Sequence, residues 1–287
     1  MTPAQALAAM TNECLDQIAR NAAVLTEIDT ADVYRAATPE HTHQLRVGIR
    51  RLRSAWSLFQ KLAVLPPQPW REEVKLHFAG LGSARDDDVL RETVMPELNA
   101  AGQPPLELHT GPQQTPLKSI AATPAFQRWL VEVLAWTIGA HPLQADESTP
   151  TGLANNKQVV IQAALSKQLF KWHQRVLTDG LQFDKLPIES KHELRKRAKR
   201  LRYGLQFAES LLPTGKLRNY RRSLSVIQDI LGEMNDLYVA REKFEDIRED
   251  QPPAWFAVGW IASRLSVLTK DAERAFKGLK RADHFWD

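Results

Sequence analysis

The chain contains a single cysteine, Cys14, in 287 residues, so no internal disulfide can staple it. Cys14 falls inside an amphipathic helical pattern, where a lone thiol is expected to act as a small buried apolar group. Long apolar runs are missing as well: none approaches the ~18 consecutive residues that a membrane-spanning helix needs. The opening residues, MTPAQALAAMTNECLDQ, show neither a basic leader nor a sustained apolar core, which argues against a secretory signal. A soluble cytoplasmic protein is the expectation. β-Branched alternation and two-residue hairpin turns are scarce, so no strand is predicted. Three catalytic signatures are also lacking. There is no His-Glu-x-x-His, no His-Asp dipeptide and no Walker-type glycine-rich loop, which weakens zincin-like, His-Asp phosphohydrolase and P-loop readings.

The chain does have apolar bulk and concentrated positive charge. A hydrophobic fraction of 43% and eight Trp suffice for well-filled helix interfaces. Net charge is only +4, yet the sequence pI is about 9.2. Residues 191–202 alone hold seven Lys/Arg against one Glu. Charge concentrated in this way implies an anionic partner: nucleic acid, a membrane surface or a phosphate polymer.

The same stretch takes part in an internal repeat. Residues 43–53 (HQLRVGIRRLR) and 192–203 (HELRKRAKRLRY) align at an offset of 149, so that His43 meets His192 and Arg46 meets Arg195. Further along, Arg50 meets Lys199 and Arg53 meets Arg202. At about 100° per residue, His43, Arg46, Arg50 and Arg53 share one stripe of a helix, and His192, Arg195, Lys199 and Arg202 share its counterpart. Beside the first stripe runs an apolar seam of Leu45, Ile49, Leu52, Trp56 and Phe59; beside the second, Leu194, Ala198, Leu201 and Leu205. A basic run on a helix is ordinarily a solvated face, but such faces mix acids with bases at i, i+4. These stripes contain no acid and recur with the histidine in register. At 1.5 Å rise per residue each is a rail of positive charge about 15 Å long.

The repeat continues into the following helices at an offset of 150: Leu81, Gly82, Asp86, Val89 and Arg91 match Leu231, Gly232, Asp236, Val239 and Arg241. Arg71 aligns with Arg221 and adds a cation to each third helix. A mid-helix glycine costs about 1 kcal/mol relative to alanine, so the paired Gly82 and Gly232 predict close helix–helix approach.

Helical spacing predicts helices over residues 3–28, about 40–65, 70–95 and 126–138, then 155–177, 189–212, 218–247 and 255–280. Breaker-rich residues 96–124 read as a surface loop, and 141–152 as a linker. The expected architecture is all-α, with two tandem four-helix bundles over residues 1–140 and 155–287.

Glu40-x-x-His43-x-x-Arg46-x-x-x-Arg50-Arg51-Leu52-Arg53 and Glu189-x-x-His192-x-x-Arg195-x-x-x-Lys199-Arg200-Leu201-Arg202-Tyr203 resemble the conserved histidine α-helical domain (CHAD) family. Leu81-Gly82-x-x-Arg85-Asp86 and Leu231-Gly232-x-x-Asn235-Asp236 are similar to that family too, and the likeness covers nearly the whole chain. The resemblance implies two pseudo-symmetric four-helix bundles whose basic faces meet in a central channel. It also implies a non-catalytic binding module for inorganic polyphosphate, often associated with polyphosphate granules. The E-x-E-x-K signature of the triphosphate-tunnel enzymes sometimes fused to such domains does not occur.

The chemistry of the stripes agrees with that implication. Arginine presents five donors in a planar fork and stays charged, which suits two-point contacts to phosphate oxygens. His43 and His192 can add charge or donate as neutral imidazoles. Polyphosphate is the expected partner, other polyanions could compete, and no cofactor or metal is expected. Asp86, Asp87 and Asp88 are consecutive and diverge on a helix, so they suit the orientation of neighbouring Arg side chains by Asp86 and Asp236 better than a metal site. Two rivals are weaker. Nucleic-acid binding would favour exposed aromatic platforms, whereas the aromatics here lie on apolar seams. A metal-dependent polyphosphate hydrolase would need a positioned base or metal.

Overall fold

A computed structural model describes residues 2–26, 38–81, 89–107, 120–139, 154–212 and 214–282. Among them every regular element is helical. The first four are α1 (Pro3–Thr26), α2 (Pro39–Phe59), α3 (Gln68–Gly80) and α4 (Met95–Ala100), the last entered through a π-turn at Leu90–Val94. α5 (Pro124–Gly139), α6 (Ala154–Gly180), α7 (Ile188–Phe207), α8 (Thr214–Ile247) and α9 (Ala254–Arg281) follow. Short 3-10 turns lie at Phe183–Lys185 and Glu209–Leu211. No helix of the described residues is long and apolar enough to cross a membrane.

The chain divides into two compact units that are interleaved along the sequence. The first takes Met1–Arg85, Gln113–Leu169 and Tyr203–Leu211; the second takes Asp86–Pro112, Phe170–Arg202 and Leu212–Asp287. The repeat alone predicts a simple division between residues 140 and 155. The second unit instead claims the segment around α4, and the reason is local. Leu90–Val94 packs on α8. Gln103 Nε2 donates to the Pro253 carbonyl at 3.0 Å, and the Glu107 amide and carbonyl bond to the Gln251 side chain at 3.0 and 2.7 Å.

In the first unit α1 packs on α2 and α5, and α3 packs on α2 and α5. The apolar seam predicted for α2 is the buried one: Leu45, Ile49, Leu52 and Phe59 are fully enclosed, and Trp56 nearly so. Each such side chain contributes roughly 1.5–3 kcal/mol on burial. The buried tryptophans satisfy their polar edges, with Trp56 Nε1 donating to Thr11 Oγ1 at 3.3 Å and Trp129 Nε1 to the Trp70 carbonyl at 3.0 Å. Gly48 marks the close approach of α2 to α1, since a Cβ there would lie 2.8 Å from Ile18 Cγ1. Cys14 is buried as expected, and burial pushes its thiol up to about 12, so it is inert at neutral pH.

The second unit buries Leu194, Ala198, Leu201 and Leu224 completely. His173 of α6 is also buried and bonds Tyr220 Oη of α8 at 2.8 Å. α6 ends at Gly180 against the Phe276 ring, which a Cβ would meet at 2.2 Å.

Three local expectations are corrected. The predicted helix over 70–95 is not one described element: α3 ends at Gly80, residues 82–88 lie outside the described set, and helix resumes before Leu90. It then continues past Pro96. Pro96 has no amide hydrogen and its ring crowds the carbonyl four residues back, and the preceding turn widens so that Met95 N–H bonds the Leu90 carbonyl. The expected close approach at Gly232 is not seen among the described residues, where a Cβ would meet nothing within 4 Å. Its counterpart Gly82 lies outside the described residues.

Candidate cationic binding site

α2 starts at Thr38, whose extended backbone (φ −114°, ψ 162°) precedes Pro39 in the first turn. The Thr38 amide donates to His41 Nδ1 at 3.1 Å, closing the end of the helix. With the helix phase fixed by this cap and by the buried seam, residues 43, 46, 50 and 53 emerge together, each half-buried.

Arg46, Arg50 and Arg53 converge on one aromatic ring. Their guanidinium carbons lie 5.1, 5.9 and 5.8 Å from the centroid of Phe78 on α3. A ring face attracts cations through its quadrupole at these distances. Arg46 is also anchored by a hydrogen bond from Nη1 to the Leu81 carbonyl, and Arg50 Nε donates to the Arg46 carbonyl at 3.3 Å. Three like charges thus share one neutral ring as a support. Arg51, one position off the stripe, is spent differently: it pairs with Glu13, donates to Gln17 and covers Phe207.

Arg71 lies on α3 and donates Nε to the Pro66 carbonyl at 3.0 Å, tying the turn that precedes the helix. Its field and that of Arg53 both reach Glu72, whose carboxyl is held below its usual range first by a hydrogen bond from Lys75 and then by these neighbouring charges. The four stripe positions of α2 include no acid, but α3 brings Glu72 near their C-terminal end.

In the second unit Arg195, Lys199 and Arg202 of α7 are half-buried and His192 is exposed. Asn235 of α8 hydrogen bonds His192. The imidazole pKa is pushed down, first by desolvation and then by Lys196 and Arg195, which outweigh the Asn235 bond and the Glu193 charge. Two cations off the stripe pair with acids: Lys196 with Glu193 at 2.8 Å, and Arg197 with Asp179. Arg221 is half-buried on α8.

The two stripes are not backed alike. At the offset of 150, Phe78 corresponds to Gln228, which is buried and donates Nε2 to the Ala198 carbonyl at 2.8 Å. The second stripe thus has an amide where the first has a ring. Asp236 accepts a hydrogen bond from Asn235 at 3.3 Å, and an arginine is not among its hydrogen-bond partners in the described residues. The Asp86–Asp88 cluster falls outside them. Sequence reasoning missed Phe78 and Asn235. The second stood within the quoted Leu231-Gly232-x-x-Asn235-Asp236 motif. The first carried no signal beyond an aromatic on the helix after the stripe.

Comparison with known proteins supplies the family. The CHAD domain model matches residues 9–245. Two uncharacterized proteins of Mycobacterium tuberculosis, from two strains, are each 31% identical over 223 residues, covering 72% of this chain. The matched region is 40% of their length, so this chain corresponds to less than half of those proteins. The crystal structure of the CHAD domain from the plant Ricinus communis superposes with a TM-score of 0.71 at 27% identity, covering 99% of this chain and 93% of that one. With the family model spanning most of its length and the same fold in a solved CHAD domain, this chain belongs to the CHAD domain family.

Proposed function

We propose that the protein binds inorganic polyphosphate through its two His/Arg/Lys stripes without cleaving it, and that this binding carries it to polyphosphate granules. The gathering of Arg46, Arg50 and Arg53 over the Phe78 ring carries the reading. A ring orients the three guanidinium groups toward one place without subtracting from their charge. A linear phosphate polymer offers equivalent oxygens along its length, and a rail of about 15 Å follows several of them at once. Arginine forks grip such oxygens in pairs. Membership of the CHAD family, which is associated with polyphosphate binding, supports the same partner.

Binding rather than turnover fits the stripe side chains. Their arginines and lysine are hydrogen-bond donors and fixed charges, which hold phosphate but do not activate water. Each stripe offers several contacts to one chain, and every contact after the first gains from effective concentration.

Calorimetric titration of the whole protein with polyphosphates of defined length tests the proposal, alongside an assay for released phosphate with and without Mg²⁺. Affinity is expected to rise steeply from three phosphates to roughly ten or more, the order set by the rail length. No phosphate is expected to be released. Absence of binding to long chains would overturn the partner, and steady phosphate release would overturn the non-catalytic role.

A further inference from the structure

A cleft of about 490 Å³ opens beside the N-terminal end of α7, wholly within the second unit. Its volume lies in the range of small-molecule sites. Phe183, Ile188, Met234 and Tyr238 give it apolar lining, Lys191 and Arg195 give it positive charge, and Glu189 and Glu193 line it as well, the latter paired with Lys196 at 2.8 Å. Phe183 and Met234 are buried, and Ile188 keeps 50% of its surface exposed. Lys191 sits 5.1 Å from the centroid of the Phe183 ring, so charge and aromatic surface adjoin in the same place. Glu242, one helical turn beyond Tyr238, borders the cleft with a carboxylate.

This chemistry belongs to the second copy of the repeat alone. At the matching positions the first copy has the much smaller Ala84 for Met234, Asp88 for Tyr238, Pro39 for Ile188 and Thr42 for Lys191. Inorganic polyphosphate has no apolar surface and gains nothing from Met234 or Tyr238. A ligand that joins an aromatic ring to a short phosphate chain uses both halves of the cleft.

We propose that this cleft binds a nucleoside triphosphate, with the base against Met234 and Tyr238 and the phosphates on Lys191 and Arg195. Glu242 can accept a hydrogen bond from an exocyclic amino group, which favours adenine, cytosine or guanine over uracil. The phosphate half of this assignment rests on reading the second stripe as a phosphate binder. The base half rests on the cleft lining alone.

Competition between ATP and tripolyphosphate for the full-length protein, in Mg²⁺-free buffer at one ionic strength, separates the two halves. Tripolyphosphate carries at least as much charge, so charge alone predicts that it binds as tightly as ATP or more so. Burial of a base should instead make ATP roughly tenfold tighter. Tyr238→Ser should abolish that advantage while leaving binding of tripolyphosphate and long polyphosphate within about twofold. ATP no tighter than tripolyphosphate overturns the site, as does an unchanged ratio in Tyr238→Ser. The wild-type ratio decides the matter even if the variant folds poorly. Long polyphosphate without an ATP preference leaves the polyphosphate reading standing and removes this one; ATP without long polyphosphate does the reverse.

Discussion

The Arg46 guanidinium stands 5.1 Å from the centre of the Phe78 ring, and the same ring supports Arg50 and Arg53 at under 6 Å. An aromatic platform between helices fixes three flexible side chains before any ligand arrives. A polyanion then has less side-chain entropy to remove on binding, since each immobilised long side chain costs about 0.5–1.5 kcal/mol.

Phe78→Leu is therefore expected to weaken binding of long polyphosphate roughly fivefold, the size of one exposed cation–π contact shared among three cations. Phe78→Tyr keeps the ring face and should bind as the wild type does. Calorimetry on the two variants, with urea midpoints to confirm folding, provides the check. Equal affinity in Phe78→Leu and wild type would show that the ring does not position the stripe.

His192 gives the binding a pH dependence of defined sign. Its pKa in the free protein is held below the ordinary 6.5 by desolvation and by Lys196 and Arg195. A bound polyanion favours the imidazolium and raises that pKa. Affinity should be flat at alkaline pH, rise as pH falls through the raised value, and level off below the depressed one. The gain should be roughly two- to tenfold for one added charge contact. His192→Gln should flatten this part of the profile in titrations with long chains, whose titrating end groups are few. An unaltered profile would assign the effect to another group.

Two glycines should respond to alanine in opposite ways. At Gly180 a Cβ would meet the buried Phe276 ring at 2.2 Å, so Gly180→Ala should cost about 1–3 kcal/mol of stability by overpacking. At Gly232, inside α8, a Cβ would meet nothing within 4 Å among the described residues, so Gly232→Ala should stabilise by up to about 1 kcal/mol through helix propensity. Urea unfolding of both variants reads the difference. A loss at Gly232 would contradict the open surroundings seen there.

The helices were legible in the sequence because burial imposes a period. Leu45, Ile49, Leu52 and Phe59 recur as one face must, and α6 to α9 fall close to their predicted limits. That seam also fixed which arginines share the neighbouring stripe. Periodicity along one helix does not say what faces it, so neither the Phe78 ring nor the nearby Glu72 could be read from the spacing of α2. The repeat misled at Gly232, where a recurring glycine suggested close packing, whereas among the described residues a Cβ there would meet nothing within 4 Å. Pro96 read as a stop signal, yet a widened turn before it removes the clash and lets the helix go on. Membership of residues 86–112 in the second unit depends on contacts with α8 and with Gln251 and Pro253, far away in sequence.

Polyphosphate binding through the stripes is tested most directly by isotherms for a long polyphosphate across a salt series, on wild type and two double variants. One is Arg50→Ala with Arg53→Ala; the other is Lys277→Ala with Lys280→Ala, two exposed cations on α9 that belong to neither stripe. Each phosphate contact releases counterions, so wild-type affinity should fall steeply with salt, and loss of two contacts should lower the logarithmic slope by roughly 1–2. The Arg50/Arg53 variant should show that loss together with much weaker binding at low salt, while the Lys277/Lys280 variant should follow the wild type. A flat salt response, or equal losses in the two variants, would contradict binding by the stripes and leave diffuse surface charge in its place.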